Sequence, residues 1–153
     1  MFGAVMQEEE LCKHLLEMIL NIKIARIIVH VEKSIVYHPG YKGVRLDVYA
    51  QDEENTHYNI EMQATSEKEL PKRARYYHSQ IDMELLERGA EYEELPKSYV
   101  IFICDFDPFG EGKYQYTLKT RMSGESDIYE DGNTTIFLNT LGKDPQNISS
   151  SFP

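Results

Sequence analysis

The chain has 153 residues, enough for one domain with a core of its own. No apolar run approaches the ~20 residues that carry a helix across a bilayer, and no basic-then-apolar leader opens the chain, so the sequence reads as a soluble, cytoplasmic protein with no membrane partner. A net charge of -10 argues against a broadly basic nucleic-acid-binding surface, so any nucleic-acid contact must come from a local basic cluster or a bound cation.

Residues 8–20 predict a helix, with Leu11, Leu15, Leu16, Met18, Ile19 and Leu20 at helical spacing. Glu9 and Glu10 stand in its first turn, where carboxylates complement the helix dipole. Residues 24–36 are rich in Ile and Val and predict a strand, which His38-Pro39-Gly40 ends. From Gly43 to Ala50 apolar and polar residues alternate. This predicts a strand with Val44, Leu46, Val48 and Ala50 on one face and Asp47 on the other. The polar stretch Gln51 to Thr56 reads as a hairpin connection. Tyr58 to Ala64 alternates again, with Ile60 and Met62 on one face and Glu61 and Gln63 on the other.

Thr65 to Pro71 is a polar loop, and Pro71 suits the first turn of a helix over 72–88. Gly89 reads as its C-cap. Ser98 to Cys104 is nearly all apolar, the pattern of a strand buried on both faces. Asp107 to Gly110 is a turn, and Tyr114–Lys119 and Thr134–Asn139 are two short strands. Residues 1–142 form one domain in this reading, and 143–153 a polar, disordered tail. Cys12 and Cys104 fall in a helix and a strand and read as buried, reduced thiols. The five histidines show no ligand spacing, which excludes an obvious zinc site. No P-loop, nucleophile elbow or dinucleotide fingerprint is present.

The chemistry concentrates in the hairpin. If Asp47 lies opposite Glu61, or one step along opposite Gln63, both acids project from the same side of the sheet. Two such carboxylates repel unless a positive charge lies between them, and an all-oxygen pair suits Mg²⁺ or Mn²⁺. The alternative is a pair of solvated strand carboxylates. Arg73, Tyr77 and Gln80 share a helical stripe, with Lys72 beside them. The stripe reads either as a phosphate-facing row, for which Arg is suited, or as the half-buried side of an amphipathic helix.

Four blocks of sequence, taken in order, resemble the PD-(D/E)XK nuclease family transposases, also called recombination-promoting nucleases. They are Gly43-Val44-Arg45-Leu46-Asp47-Val48-Tyr49, Tyr58-Asn59-Ile60-Glu61-Met62-Gln63, Lys72-Arg73-Ala74-Arg75-Tyr76-Tyr77 with Gln80, and Lys97 to Asp105. The opening Met1 to Met6, with Glu9, Glu10 and Leu11, also fits. The resemblance runs from about residue 1 to residue 142. It implies an α/β fold with a restriction-endonuclease-like αβββαβ core, a mixed sheet flanked by helices. It also implies a Mg²⁺- or Mn²⁺-dependent DNA endonuclease of a recombination-promoting type. Whether the chain forms a homodimer stays open.

On that resemblance Asp47 and Glu61 hold the metal, with the backbone carbonyl of Met62 as a further oxygen. Glu10, or Glu9, reaches the metal from the first helix, unless it is only a solvated first-turn acid. Gln63 stands where the wider superfamily has Lys, and the E-x-Q form is typical of this branch. A neutral amide cannot act as a general base but can orient a water or a phosphate oxygen. Lys72, Arg73, Tyr77 and Gln80 are the implied nucleic-acid contacts. Relatives implied by the resemblance continue past this point, so the chain reads as a shortened copy. Its charge keeps a rival in view: an inactive remnant that acts as a binding module.

Overall fold

The structure is a computed structural model, and it describes residues 6–36, 38–64, 69–124 and 129–143. The elements run α1 (Glu9–Leu20), β1 (Ile27–Ile35), β2 (Val44–Asp52), β3 (His57–Gln63), α2 (Leu70–Leu85), a short 3₁₀ turn (Tyr92–Glu94), β4 (Ser98–Cys104), β5 (Gln115–Leu118) and β6 (Asn133–Asn139). All six strands join one sheet in the order β1-β2-β3-β4-β6-β5. The first three strands are antiparallel, β3, β4 and β6 run parallel, and β5 returns antiparallel to β6. The parallel step from β3 to β4 needs a crossover, which α2 supplies.

Each helix covers one face of the sheet. Cys12, Leu16 and Ile19 of α1 pack with Tyr58, Ile60, Ile101, Ile136 and Leu138. Leu70, Ala74, Tyr77 and Ile81 of α2 pack with Val100, Phe102, Cys104 and Phe137. Successive residues of β4 thus enter different cores, which is why its sequence is apolar throughout. Cys12 and Cys104 are buried, free thiols, one in each core.

Three sequence expectations are corrected. The helix expected to reach residue 88 stops at Leu85, because Leu86 takes an extended backbone. Gly89 adopts its positive φ of 88° in the turn beyond, so it is not the helix cap. The turn Tyr92–Glu94 lies where no element was expected, and Glu91 and Glu94 form a reciprocal capping box around it. The third correction bears on the site. Val44, Leu46, Val48 and Ala50 do not share a face: the first two lie in the α2 core and the last two in the α1 core. The strand's alternation shifts phase at Asp47. Opposite Asp47, Glu32 of β1 has a left-handed backbone with φ of 58°, and the β1–β2 ladder skips that one pair between Val31↔Val48 and Lys33↔Leu46. The loop expected over 65–71 and the tail expected over 143–153 lie mostly outside the described residues.

Candidate active site

The β2–β3 ladder runs from Gln51↔His57 to Val48↔Ile60 and then ends. Continuing that register sets Asp47 opposite Glu61. Here the two strands part, and the acidic side chains take up backbone donors of the opposite strand. The Asp47 N–H donates to Glu61 Oε2 at 2.6 Å, and the Met62 N–H donates to Asp47 Oδ2 at 3.2 Å. Each acid thus closes the gap in the other's strand.

Glu61 is 1% exposed. Burial pushes its carboxyl up to about 7, and the charge of Asp47 pushes the same way. The Asp47 N–H, the Tyr77 hydroxyl and the Arg73 guanidinium oppose that rise without cancelling it. The protein's own donors therefore leave the Glu61 carboxyl above its ordinary range.

Helix α2 provides the roof. Arg73 Nε donates to the Tyr77 hydroxyl at 2.7 Å, and the Tyr77 hydroxyl bonds to Glu61. Arg73 Nη1 donates to Gln63 Oε1 at 3.3 Å. Arg has no acceptor, so this contact orients the Gln63 amide: its oxygen faces Arg73 and its NH₂ is left to donate elsewhere. Burial, with Glu61 nearby, pushes the Tyr77 hydroxyl up to about 12, so it remains a donor at neutral pH.

The structure thus brings Asp47, Glu61, Met62, Gln63, Arg73 and Tyr77 together. Gln63 is buried. Tyr77 and Gln80 are also buried and face the sheet, Arg73 is half-buried, and Lys72 is exposed. The stripe expected to face phosphates is largely the inner face of α2, and Tyr77 supports Glu61. The Arg73–Tyr77 spacing was visible in the sequence, but the strand it faces was not.

Glu10 is not brought to the pair. It is exposed, lies 3.8 Å from Lys13, and lines a surface cavity with Ala25–Ile28 and Gln51–Glu53. That cavity is at the hairpin end of β2, roughly 13 Å of strand from Asp47, and α1 packs on the sheet face away from α2. Among the described residues no three His, Cys, Asp or Glu side chains converge as a metal cluster.

A mixed six-stranded sheet with a helix on each face is consistent with a restriction-endonuclease-like fold, and the acid pair sits where two of its strands separate. The sequence profile of the PD-(D/E)XK nuclease family transposases matches residues 1–143, and the chain belongs to that family. No curated protein and no solved structure matches it. Among the described residues no helix is long and apolar enough to cross a membrane.

Proposed function

We propose that this chain is a metal-dependent DNA endonuclease core of a recombination-promoting kind. Asp47 and Glu61 would be the carboxylate ligands of Mg²⁺ or Mn²⁺, with the Met62 carbonyl as a third oxygen. The observation that carries the proposal is a fully buried carboxyl facing a second acid across the gap between two strands, pushed up to about 7 by that burial. The donors are all hard oxygens, which fits these ions, and Mg²⁺ retains several waters when only two carboxylates hold it. When bound, such an ion supplies an activated water and a polarised phosphate.

The chain's own residues do the rest. Glu61 stays fixed between the Asp47 N–H and the Tyr77 hydroxyl. The free NH₂ of Gln63 can donate to a phosphate oxygen or a water. Gln63 carries no titratable proton, so it is a positioning residue and not a base. Arg73 ties Gln63 and Tyr77 into one unit. Lys72, exposed beside it, contacts the strand's phosphates.

Wild type should nick supercoiled DNA with Mg²⁺ and not with EDTA, and Asp47→Ala should not nick it. Mg²⁺ should also raise the melting temperature by mass action. Asp47→Asn should abolish that shift while matching wild type in EDTA. A folded wild type that neither nicks nor responds to Mg²⁺ or Mn²⁺ would leave the binding-module reading in its place.

A further inference from the structure

The tip of the β1–β2 hairpin is built as an exposed aromatic platform. His38 and Tyr41 close a β-turn: the Tyr41 N–H donates to the His38 carbonyl at 3.0 Å, with Pro39 fixing φ at the second position. The His38 ring accepts from the Gly40 N–H at 3.0 Å and meets the Tyr41 ring edge-on, centroids 5.5 Å apart. At Gly43 a Cβ would meet the Ile35 carbonyl at 2.9 Å and Val36 at 3.0 Å, so the strands close tightly beneath the turn. The turn is closed by contacts of its own residues, yet Tyr41 is 69% and Val36 66% exposed.

Two further observations say what covers it. First, in a chain of net charge -10, the stretch from Lys33 to Leu46 contains Lys33, Lys42 and Arg45 and no Asp or Glu. Lys33 is paired with Glu84 at 3.5 Å and Arg45 with Glu32 at 2.8 Å, but Lys42 is exposed at the tip and makes no ion pair among the described residues. Second, the tip is moored to the candidate site. The Tyr76 hydroxyl of α2 donates to the Lys42 carbonyl, and its neighbour Tyr77 bonds to Glu61. Lys42 and Asp47 lie five positions apart, a reach of at most ~17 Å of strand.

We propose that this tip is a nucleic-acid contact beside the acid pair, in which the Tyr41 ring stacks on an unstacked base and Lys42 meets the adjoining phosphate. The proposal rests on the nuclease reading above and adds its strand-holding surface. An exposed aromatic with a neighbouring unpaired cation is the combination that binds single strands without sequence preference. A DNA strand leaving the acid pair reaches the tip within about five nucleotides at ~3.4 Å each.

The chain has no tryptophan, so Tyr41→Trp introduces a single reporter. With Ca²⁺ in place of Mg²⁺ to prevent cutting, a single-stranded oligonucleotide should quench that emission at least about twofold, as stacking requires. Tyr92→Trp, on the acidic 3₁₀ turn where Tyr92 is 83% exposed, should be unaffected. Tyr41→Ala should weaken binding roughly 5- to 100-fold, and Tyr41→Phe should leave it within about twofold. If heparin quenches the Tyr41→Trp signal as strongly as DNA does, the contact is electrostatic and the stacking proposal is overturned. If Arg73→Ala weakens binding while Tyr41→Ala binds like wild type, the tip proposal fails and the nuclease reading stands. If wild type binds no nucleic acid, both fail.

Discussion

Helix α2 covers two buried polar clusters that differ in how their charges are met. Toward β4 and β6, His78 is 6% exposed and fully bonded. Its Nδ1 lies 2.7 Å from Ser98 Oγ and its Nε2 3.1 Å from Thr135 Oγ1. Ser98 gives its only hydroxyl proton to Asn133 at 2.9 Å, so it must accept from His78 Nδ1–H, which leaves Nε2 to accept from Thr135. Burial pushes His78 down to about 4, so the ring is neutral and nothing in the cluster lacks a partner. Toward β3, Glu61 is just as buried, but a second acid faces it and the surrounding donors leave it near 7. The first cluster is complete within the protein, as structural polar networks are. The second keeps a carboxyl whose titration burial and a facing acid have shifted, as functional sites often do.

The largest effects should separate the clusters by chemistry. Glu61→Gln should lose both metal affinity and cleavage, because it removes a charged ligand. Gln63→Ala should lower single-turnover cleavage by roughly 10²-fold, the scale of one lost positioning donor, with metal affinity nearly intact. Equal loss of metal in both variants would make Gln63 a ligand or a structural support. Wild-type cleavage in Gln63→Ala would give it no catalytic role.

Next comes stability. His78→Leu leaves the Thr135 hydroxyl proton without its acceptor in the core, while Ser98 keeps its bond to Asn133, and should cost about 1–3 kcal/mol by urea titration, the scale of one orphaned group. The Mg²⁺ response of the protein that remains folded should not change. A change would mean that the clusters are coupled through α2.

The pH dependence tests the contrast through opposite signs. His78 has a depressed folded pKa, so its contribution is present above 6.5 and is lost as pH falls toward about 4. Glu61 has a raised one, so in EDTA stability falls as pH rises from 4.5 to about 7. Glu61→Gln should therefore be more stable than metal-free wild type above pH ~7, on the order of 2 kcal/mol, and the gap should close below the ordinary carboxyl range. No gap at high pH would show that Glu61 is already neutralised inside the protein. The smallest effect is expected at Arg73. Arg73→Ala should weaken DNA binding a few-fold, evenly across sequences, and reduce the salt slope by about one. An unchanged slope would make Arg73 purely a brace for Tyr77 and Gln63.

Local pattern carried much of this protein. The period-two alternation of residues 58–64, the apolar run of 98–104 and the helical spacing of Leu16 and Ile19 each reflect the faces that one element presents to its surroundings. They place β3, β4 and α1 within a few residues. The register that sets Asp47 opposite Glu61 follows from the polar hairpin turn between them. Other features depend on residues far apart in the chain. Asp47 lies at a phase shift opposite Glu32, a residue of another strand with a left-handed backbone. Glu10 and Glu61 are both acids near apolar residues, yet opposite layers of the sheet separate them. Arg73 and Tyr77 look like surface residues until β3 is packed beneath them, where they become the donors that hold Glu61 and Gln63. Alternation and spacing record which side of an element is buried. Which partner lies against that side, and how much charge it brings, is set by contacts between segments that only folding brings together.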